Sequence, residues 1–270
     1  MCQLLGVGRS SYYEWLKHKP SDRMIENKRL SIRIKELFFE SRCTYGSRRI
    51  RRILQSEGEI ISRRRVCKLM KKQELYCKTK RKFRVTTDSK HTLPIAPNLL
   101  ERNFTAKEPD KKYVGDITYI WTTQGWMYLA VVIDLFSRRV VGWAMDDNMR
   151  AELVNSALLM AIDSRKPKPG LLWHTDRGSQ YASDSHREIL EDNKITQSMS
   201  RKGNCWDNSV AESFFHTLKT ELVHHIKFDT IEEAKKNIFE YIEVFYNRKR
   251  IHSANDYLAP VDFEEVSKNS

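Results

Sequence analysis

Charge is divided unevenly along this chain, and the division constrains its architecture more than any other feature. The first 90 of the 270 residues contain 25 Lys and Arg against nine Asp and Glu, a net charge of +16, whereas the remaining residues carry −3. This asymmetry indicates a polyanion-binding module joined to a module of different chemistry. Clustered cations gain affinity by releasing counterions from phosphates, so nucleic acid is the first candidate partner. A solvated basic face without a partner is the alternative.

Length and composition exclude several other classes of protein. A chain of 270 residues with 40% hydrophobic side chains buries a core and forms one large domain or two modest ones. No apolar run approaches the roughly 20 residues of a transmembrane helix, and the N-terminus lacks a signal-peptide pattern, so we expect a cytoplasmic protein. The five cysteines are scattered without a CxxC pair, which argues against a disulfide scaffold and a zinc finger.

The basic part of the chain predicts helices in the order of a helix-turn-helix unit. Apolar residues recur at helical spacing from about Arg23 to Glu40. Ser47 then caps a short helix, and Ser62 caps another after a turn at Gly58. Helix, short helix, turn and helix is the outline of that DNA-binding motif.

The cations of this region lie where such a unit contacts DNA. The first turn of a recognition helix points into the major groove, and Arg binds phosphate or guanine there through paired hydrogen bonds. The predicted DNA-binding residues are Arg48, Arg49, Arg51 and Arg52 on one helix, Arg63, Arg64 and Arg65 at the start of the next, and Lys80, Arg81 and Lys82 in the tail. The sequence does not separate base readers from phosphate contacts.

Beyond Lys111 the pattern changes to a mixed α/β layer, with three hairpin-connected strands followed by helix, strand, helix, strand and helix. The predicted strands are 113–122, 126–135, 139–145, 171–174 and 195–198, and the predicted helices are 151–163, 183–193, one starting near residue 207 and one over 230–246. We therefore divide the chain into a partial helical segment (1–22), a helix-turn-helix-like region (23–84), a proline-containing linker (85–110) and an α/β domain (111–270).

Three carboxylates are distinguished by their positions in the predicted α/β domain. Asp116 lies in the middle of a strand, where a charge needs a partner or a metal. Asp176 ends a short apolar strand, the place where functional groups of α/β folds collect. Glu212 lies on the following helix, on the face opposite the apolar residues and together with Lys219.

Each carboxylate also has a purely structural interpretation, which stays open. Asp116 could lie at a strand end, Asp176 could stabilise a turn, and Glu212 could belong to a capping box that begins at Ser209. Their joint occurrence favours a catalytic set. Phosphodiester chemistry uses two Mg²⁺ ions about 4 Å apart, and Mg²⁺ prefers carboxylate oxygens. Lys219 is placed to bind a DNA phosphate.

At these residues the chain resembles the DDE transposases of bacterial insertion sequences, specifically the second reading frame (OrfB) of the IS3 family, and retroviral integrases in the catalytic core. Asp176 and Glu212 are separated by 35 residues, and Lys219 follows seven positions after Glu212. The surrounding motifs are Gly-Asp-Ile-Thr-Tyr119, Val-Ile-Asp-Leu-Phe-Ser-Arg-Arg139, His-Thr-Asp-Arg-Gly-Ser-Gln-Tyr181, Ser-Met-Ser-Arg-Lys-Gly-Asn204, Trp-Asp-Asn208, Glu-Ser-Phe-Phe215 and Tyr-Asn-Arg-Lys-Arg250. The resemblance covers essentially the whole chain.

The resemblance implies a ribonuclease-H-like five-stranded sheet flanked by helices and preceded by an all-α region. It further implies that Asp116, Asp176 and Glu212 bind Mg²⁺ or Mn²⁺, as two ions, and catalyse DNA strand cleavage and transfer. The expected partners are double-stranded DNA from the element ends and the target, further copies of the chain on DNA, and an upstream OrfA segment. The expected location is the bacterial nucleoid.

Other hypotheses remain open on sequence alone. A nuclease with the same core would cut DNA without joining it, and a domesticated regulator would bind DNA and do neither. Asp134 ends a predicted strand and either stabilises a turn or approaches the metals. His174, Asn208 and His216 could contact DNA or orient the carboxylates.

Overall fold

The computed structural model describes residues 2, 4, 6–17, 19–78 and 93–269. The chain divides into two compact units, Met1–Lys78 and Thr79–Ser270. In the described residues no helix combines the length and the apolar character needed to cross a membrane.

The first unit is entirely helical. Its helices are α1 (Arg9–Lys17), α2 (Asp22–Glu40), α3 (Ser47–Ser56) and α4 (Arg63–Lys72). Ser21 and Ser62 cap α2 and α4, each accepting a hydrogen bond from a backbone N–H of the first turn. The predicted helix-turn-helix-like region is therefore confirmed as an all-α unit.

The core of the first unit is built from one face of each of three helices. The buried residues are Leu30, Ile34, Leu37 and Phe38 of α2, Ile50 and Leu54 of α3, and Val66, Leu69 and Met70 of α4. Their spacing of three and four residues places them on one side of each helix. Helix α1 buries no residue.

The second unit contains one five-stranded mixed sheet. Its strands are β1 (Lys112–Thr122), β2 (Gly125–Asp134), β3 (Val140–Asp146), β4 (Leu172–Thr175) and β5 (Thr196–Met199). Their order in the sheet is β3-β2-β1-β4-β5. Strands β1, β2 and β3 pair antiparallel, and β4 and β5 continue the sheet parallel to β1.

Helices cover both faces of this sheet. Helices α5 (Ala151–Arg165) and α6 (Asp184–Asp192) pack on one face, and α7 (Ser209–Glu221) and α8 (Ile231–Phe239) pack on the other. Strand β2 alternates accordingly, since Val131 belongs to the core under α7 and Val132 to the core under α5. The predicted mixed sheet flanked by helices is confirmed.

The C-terminal part of the chain differs from the single long helix predicted over 230–246. Helix α8 ends at Phe239, and a π-helical turn follows over Glu240–Tyr246. The turn buries Tyr241, Ile242 and Phe245 in the same core as α7 and α8. The last helix, α9, spans Pro260–Lys268.

The segment predicted as a linker is described from residue 93 onward, and there it packs on the second unit. Leu100 is buried, and the backbone N–H groups of Leu99 and Leu100 donate to Ser198 Oγ at 2.9 and 3.2 Å. Met199 donates its N–H to the carbonyl of Pro97 at 3.3 Å. This proline-containing part of the segment therefore packs beside β5 and has an irregular backbone.

Candidate active site and nucleic-acid interface

The parallel pairing of β1 with β4 brings two of the predicted carboxylates toward the same part of the sheet. Val114 of β1 lies opposite His174 of β4 in a parallel pair. The pairing ends there; Asp116 lies two residues further along β1, Asp176 directly follows the end of β4, and the charge of Asp176 acts on Asp116. Asp176 accepts a hydrogen bond from the N–H of Gly178 at 2.9 Å, which fixes its side chain at the strand end.

Helix α7 supplies the third carboxylate. Residues Ala211, Phe214 and Leu218 are buried against the sheet, so Glu212 lies on the exposed face of the helix. At the helix start, Asn208 Nδ2 donates to the carbonyl oxygen of Gly115 at 3.0 Å. This hydrogen bond ties the beginning of α7 to the residue that precedes Asp116.

The three carboxylates interact electrostatically with one another. Burial raises the pKa of Asp116, and the charges of Asp176 and Glu212 raise it further, while Lys219 acts in the opposite direction. Burial and the charge of Asp176 also raise the pKa of Glu212. Like charges that raise one another's pKa are typical of carboxylates sharing one site.

The donor set suits a hard divalent cation in its chemistry. Carboxylate oxygens are the ligands that Mg²⁺ and Mn²⁺ prefer, and a cation offsets their mutual repulsion. Asn208 Oδ1 is buried and accepts no hydrogen bond, so a further oxygen beside β1 has spare capacity. Within the described residues, no three His, Cys, Asp or Glu side chains are already arranged as a metal cluster.

Close packing behind β1 explains the glycine that precedes Asp116. A Cβ atom on Gly115 would lie 2.1 Å from Cη2 of Trp173, far inside contact distance. Trp173 is 1% exposed and donates its indole N–H to His186 Nε2 at 3.0 Å. The indole thus supports the strand that carries Asp116.

Sequence analysis missed the role of Asp207, which anchors the loop in front of α7. Its carboxylate is fully buried and accepts hydrogen bonds from Asn98 Nδ2 at 3.0 Å and Arg102 Nε at 2.8 Å. Arg201 donates through its backbone N–H at 3.0 Å and its guanidinium at 2.8 and 2.9 Å. These bonds, above all those from Arg201, hold the pKa of Asp207 well below its usual range. The Trp-Asp-Asn208 motif was the available signal.

Lys219 lies two turns beyond Glu212 on α7. Its ammonium nitrogen stands 4.9 Å from the centre of the Tyr119 ring, within the range of a cation–π contact. Burial lowers the pKa of Lys219, and the charge of Asp116 opposes that shift. A cation beside the carboxylates and only partly exposed to solvent is suited to binding a DNA phosphate.

Two histidines near the carboxylates have different environments. His174 is fully buried between Ser198 Oγ at 2.8 Å and Ser200 Oγ at 3.2 Å, and burial lowers its pKa to about 4. Both ring nitrogens of His174 are used inside the sheet, so of the two roles considered for it, contact with DNA or orientation of the carboxylates, these contacts argue against the first. His216 is exposed on α7.

Asp134 stabilises a turn at the end of β2. Its Oδ1 accepts the N–H of Phe136 at 2.9 Å, and its Oδ2 accepts the N–H of Asp110 at 3.0 Å. Arg165 lies 3.7 Å from the same carboxylate, and burial raises the pKa of Asp134 to about 7. These contacts match the turn interpretation of this residue.

The predicted DNA-binding arginines of the first unit fall into two groups. Arg65 forms hydrogen bonds from both terminal nitrogens to Glu26 at 3.0 and 2.8 Å, and Arg51 donates to the carbonyl of Ile61 at 3.1 Å. Arg49 lies over the Tyr45 ring at 5.2 Å. These three side chains help to hold the helices together.

The second group reaches solvent. Arg48, Arg52, Arg63 and Arg64 are exposed, the first two on α3 and the others at the start of α4. Arg63 also donates to Ser47 Oγ at 3.4 Å, which brings the starts of α3 and α4 together. Lys80, Arg81 and Lys82 lie outside the described residues.

Comparison with protein families divides the chain in the same order. Residues 26–83 match the HTH-like domain, and residues 106–205 and 212–267 match two families described as Integrase core domain. Among solved structures, one chain of the simian T-cell lymphotropic virus intasome in complex with PP2A regulatory subunit B56 gamma superposes with a TM-score of 0.51 at 16% identity. The match covers 86% of this chain and 74% of that chain. This likeness concerns the fold.

Curated relatives extend over nearly the whole length. The insertion element IS600 31 kDa protein of Shigella sonnei is 47% identical over 98% of this chain and 97% of its own length. The transposase for insertion sequence element IS904 of Lactococcus lactis is 43% identical over 93% of this chain and all of its own. Transposase InsF for insertion sequence IS3A of Escherichia coli is 41% identical over 98% of this chain and 92% of its own. The chain belongs to the IS3-type family of insertion-sequence transposases.

Proposed function

We propose that this chain is a DDE transposase that binds the ends of its insertion sequence and catalyses metal-dependent DNA strand cleavage and transfer. The observation that carries the proposal is the convergence of Asp116, Asp176 and Glu212 from β1, β4 and α7 in one electrostatic field. A structural turn, cap or strand-end role would not require all three to meet.

The cofactor of this reaction is Mg²⁺ or Mn²⁺, as two ions held by the three carboxylates. When bound, such ions activate the attacking hydroxyl and stabilise the charge that develops on the phosphate. Lys219 binds a phosphate of the DNA strand at the site, and Asn208 keeps the start of α7 beside β1. The exposed arginines of α3 and α4 bind the element ends.

The remaining proposals concern organisation and partners. The helix-turn-helix-like region over 23–84, with Lys80, Arg81 and Lys82 in its tail, binds double-stranded DNA. The domain over 111–270 carries the chemistry, and several copies of the chain act together on the element ends and target DNA. The chain works with an upstream OrfA segment, fused or separate, on the bacterial nucleoid in the cytoplasm.

The first test is nicking of supercoiled plasmid by purified full-length chain with Mg²⁺ or Mn²⁺. We expect nicking that requires the metal, stops with EDTA and is lost in Glu212→Gln, which removes a charge while keeping the side-chain shape. The matched control is Glu188→Gln, which changes an exposed carboxylate of α6 in the same unit. Nicking that survives Glu212→Gln, or that is lost equally in Glu188→Gln, would contradict the assigned site.

A second assay distinguishes transposition from the two alternatives. Labelled DNA carrying an element end is incubated with an unlabelled plasmid, and transfer of the label to the plasmid is measured. A transposase joins the 3′-end to the plasmid, a nuclease cuts without joining, and a DNA-binding regulator does neither. The assay is run with and without the upstream OrfA segment, since a partner requirement would otherwise resemble inactivity.

A further inference from the structure

The hairpin between β1 and β2 presents aromatic side chains that no part of the proposed chemistry has used. We define the aromatic platform as Tyr119, Trp121 and Trp126. Trp121 and Trp126 are opposite one another in the antiparallel register and are 55% and 42% exposed. Tyr119 is two residues from Trp121, so the three rings share one face of the hairpin.

The rings form a connected cluster. The centroids of Trp121 and Trp126 are 4.8 Å apart at an interplanar angle of 70°, and those of Tyr119 and Trp126 are 4.9 Å apart at 89°. Edge-to-face contacts of this kind hold each ring in a fixed orientation. Two tryptophans fixed by one another yet half-exposed are suited to binding a flat partner.

Lys219 connects this cluster to the catalytic carboxylates. The Lys219 ammonium lies over the Tyr119 ring and also interacts electrostatically with Asp116. Asp116 and Tyr119 lie on opposite faces of β1. Strand β4 pairs with β1 only along Lys112–Val114, so no residue of β4 lies beside the later part of β1. This leaves room for Lys219 to interact with both Tyr119 and Asp116. Lys219 therefore contacts one ring of the aromatic platform and interacts with one of the carboxylates.

We propose that the aromatic platform stacks unpaired bases of the DNA whose phosphate lies at the catalytic carboxylates. The inference rests on the proposed function. Opening a duplex at a reacting phosphate costs stacking and pairing energy, and stacking on aromatic side chains offsets part of that cost for any base. The neighbouring cation favours a nucleic acid over an apolar protein surface as the occupant.

The test measures binding by full-length chain carrying Glu212→Gln, which separates binding from cleavage. The probes are a blunt DNA duplex and the same duplex with a few unpaired terminal nucleotides, one of them 2-aminopurine. We expect Trp121→Leu and Trp126→Leu each to weaken binding of the splayed duplex about tenfold, the loss of one stacked base, with little change for the blunt duplex. Trp121→Phe and Trp126→Phe should restore most of the affinity and the quenching of 2-aminopurine.

The control is Phe239→Leu, which alters another exposed aromatic of the same unit, packed against Trp143 at a centroid distance of 5.8 Å. Thermal unfolding of each variant verifies its fold. Equal weakening for both probes, or no weakening, would overturn the proposal, as would variants that lose only self-association. Wild-type joining is measured in parallel, with and without the upstream OrfA segment: if it fails in both cases while the aromatic dependence persists, the proposed function is wrong and the platform remains.

Discussion

At the scale of single residues, burial and charge repulsion act together on the carboxylates of the candidate site. Burial raises the pKa of Asp116 and of Glu212, the charge of Asp176 raises both further, and Lys219 is the nearby cation that opposes the effect at Asp116. Asp207 lies in the opposite situation, because two arginines lower its pKa and hold it inside the protein. A buried carboxylate therefore lowers the stability of the fold in the candidate site, where like charges surround it. It raises the stability of the loop in front of α7, where Asp207 is paired with arginines.

The Asp116→Asn substitution should expose this conflict between stability and activity. Asparagine keeps the shape and the oxygen that accepts the Ile117 N–H, while one of three like charges disappears. In EDTA and at low salt we expect the variant to be more stable than wild type by about 1 kcal/mol, or roughly 2–4 °C in Tm, and inactive in nicking.

Thermal unfolding with and without Mg²⁺ checks this expectation. The ion should raise the Tm of wild type and have little effect on Asp116→Asn, because binding stabilises only a fold that holds the ligands. Glu188→Gln serves as the control for removing a carboxylate elsewhere. A variant less stable than wild type in EDTA would show that Asp116 has a structural role instead.

At the scale of elements, periodicity predicted most of the fold, because burial is repetitive in both helices and strands. The spacing of Leu30 and Ile34 in α2 identifies a helix without any tertiary information, and the apolar run of β2 predicts a buried strand. The division of Leu129 and Val131 from Ala130 between two cores is seen only in the structure. The positions of Asp116 and Asp176 followed from strand patterns, and Glu212 from the face of α7.

What could not be predicted depends on contacts between distant parts of the chain. The pairing of Arg65 with Glu26 joins residues 39 positions apart, and the anchoring of Asn98 on Asp207 joins residues 109 apart. The packing of Leu100 beside Ser198 likewise has no local signal. Local patterns report which residues are buried, and they do not report the partner of a polar group.

The two arginines at the start of α4 should therefore differ when each is replaced by alanine. Arg64→Ala removes an exposed cation, so we expect unchanged thermal stability and a salt dependence of DNA binding reduced by about one in the log–log slope. Arg65→Ala removes the partner of Glu26 and Asn27, so we expect a lower Tm of the first unit. Glu26→Gln is the matched test of that pair and should lower the Tm without changing the slope. Equal Tm values for the two alanine variants would contradict the division.

At the scale of the whole molecule, affinity and chemistry are assigned to different units. The excess positive charge lies in the first 90 residues, whereas the sheet with its three carboxylates lies beyond residue 111. Each unit has its own buried core, so each has what an independent fold requires. One unit can then attract DNA over a long range while the other positions the reacting phosphate.

A fragment spanning residues 93–270 tests this division. It retains both cores of the second unit and carries a net charge of −3, so we expect a folded protein that nicks plasmid with Mn²⁺ at high protein concentration. Its DNA affinity should be lower than that of the full chain, and its binding should fall less steeply with salt, because the counterion-releasing cations of the first unit are missing. Circular dichroism verifies the fold, and binding is titrated at several salt concentrations beside the full chain. An unchanged salt slope would place the phosphate contacts in the second unit, and a folded fragment that never nicks would mean that the first unit takes part in the chemistry itself.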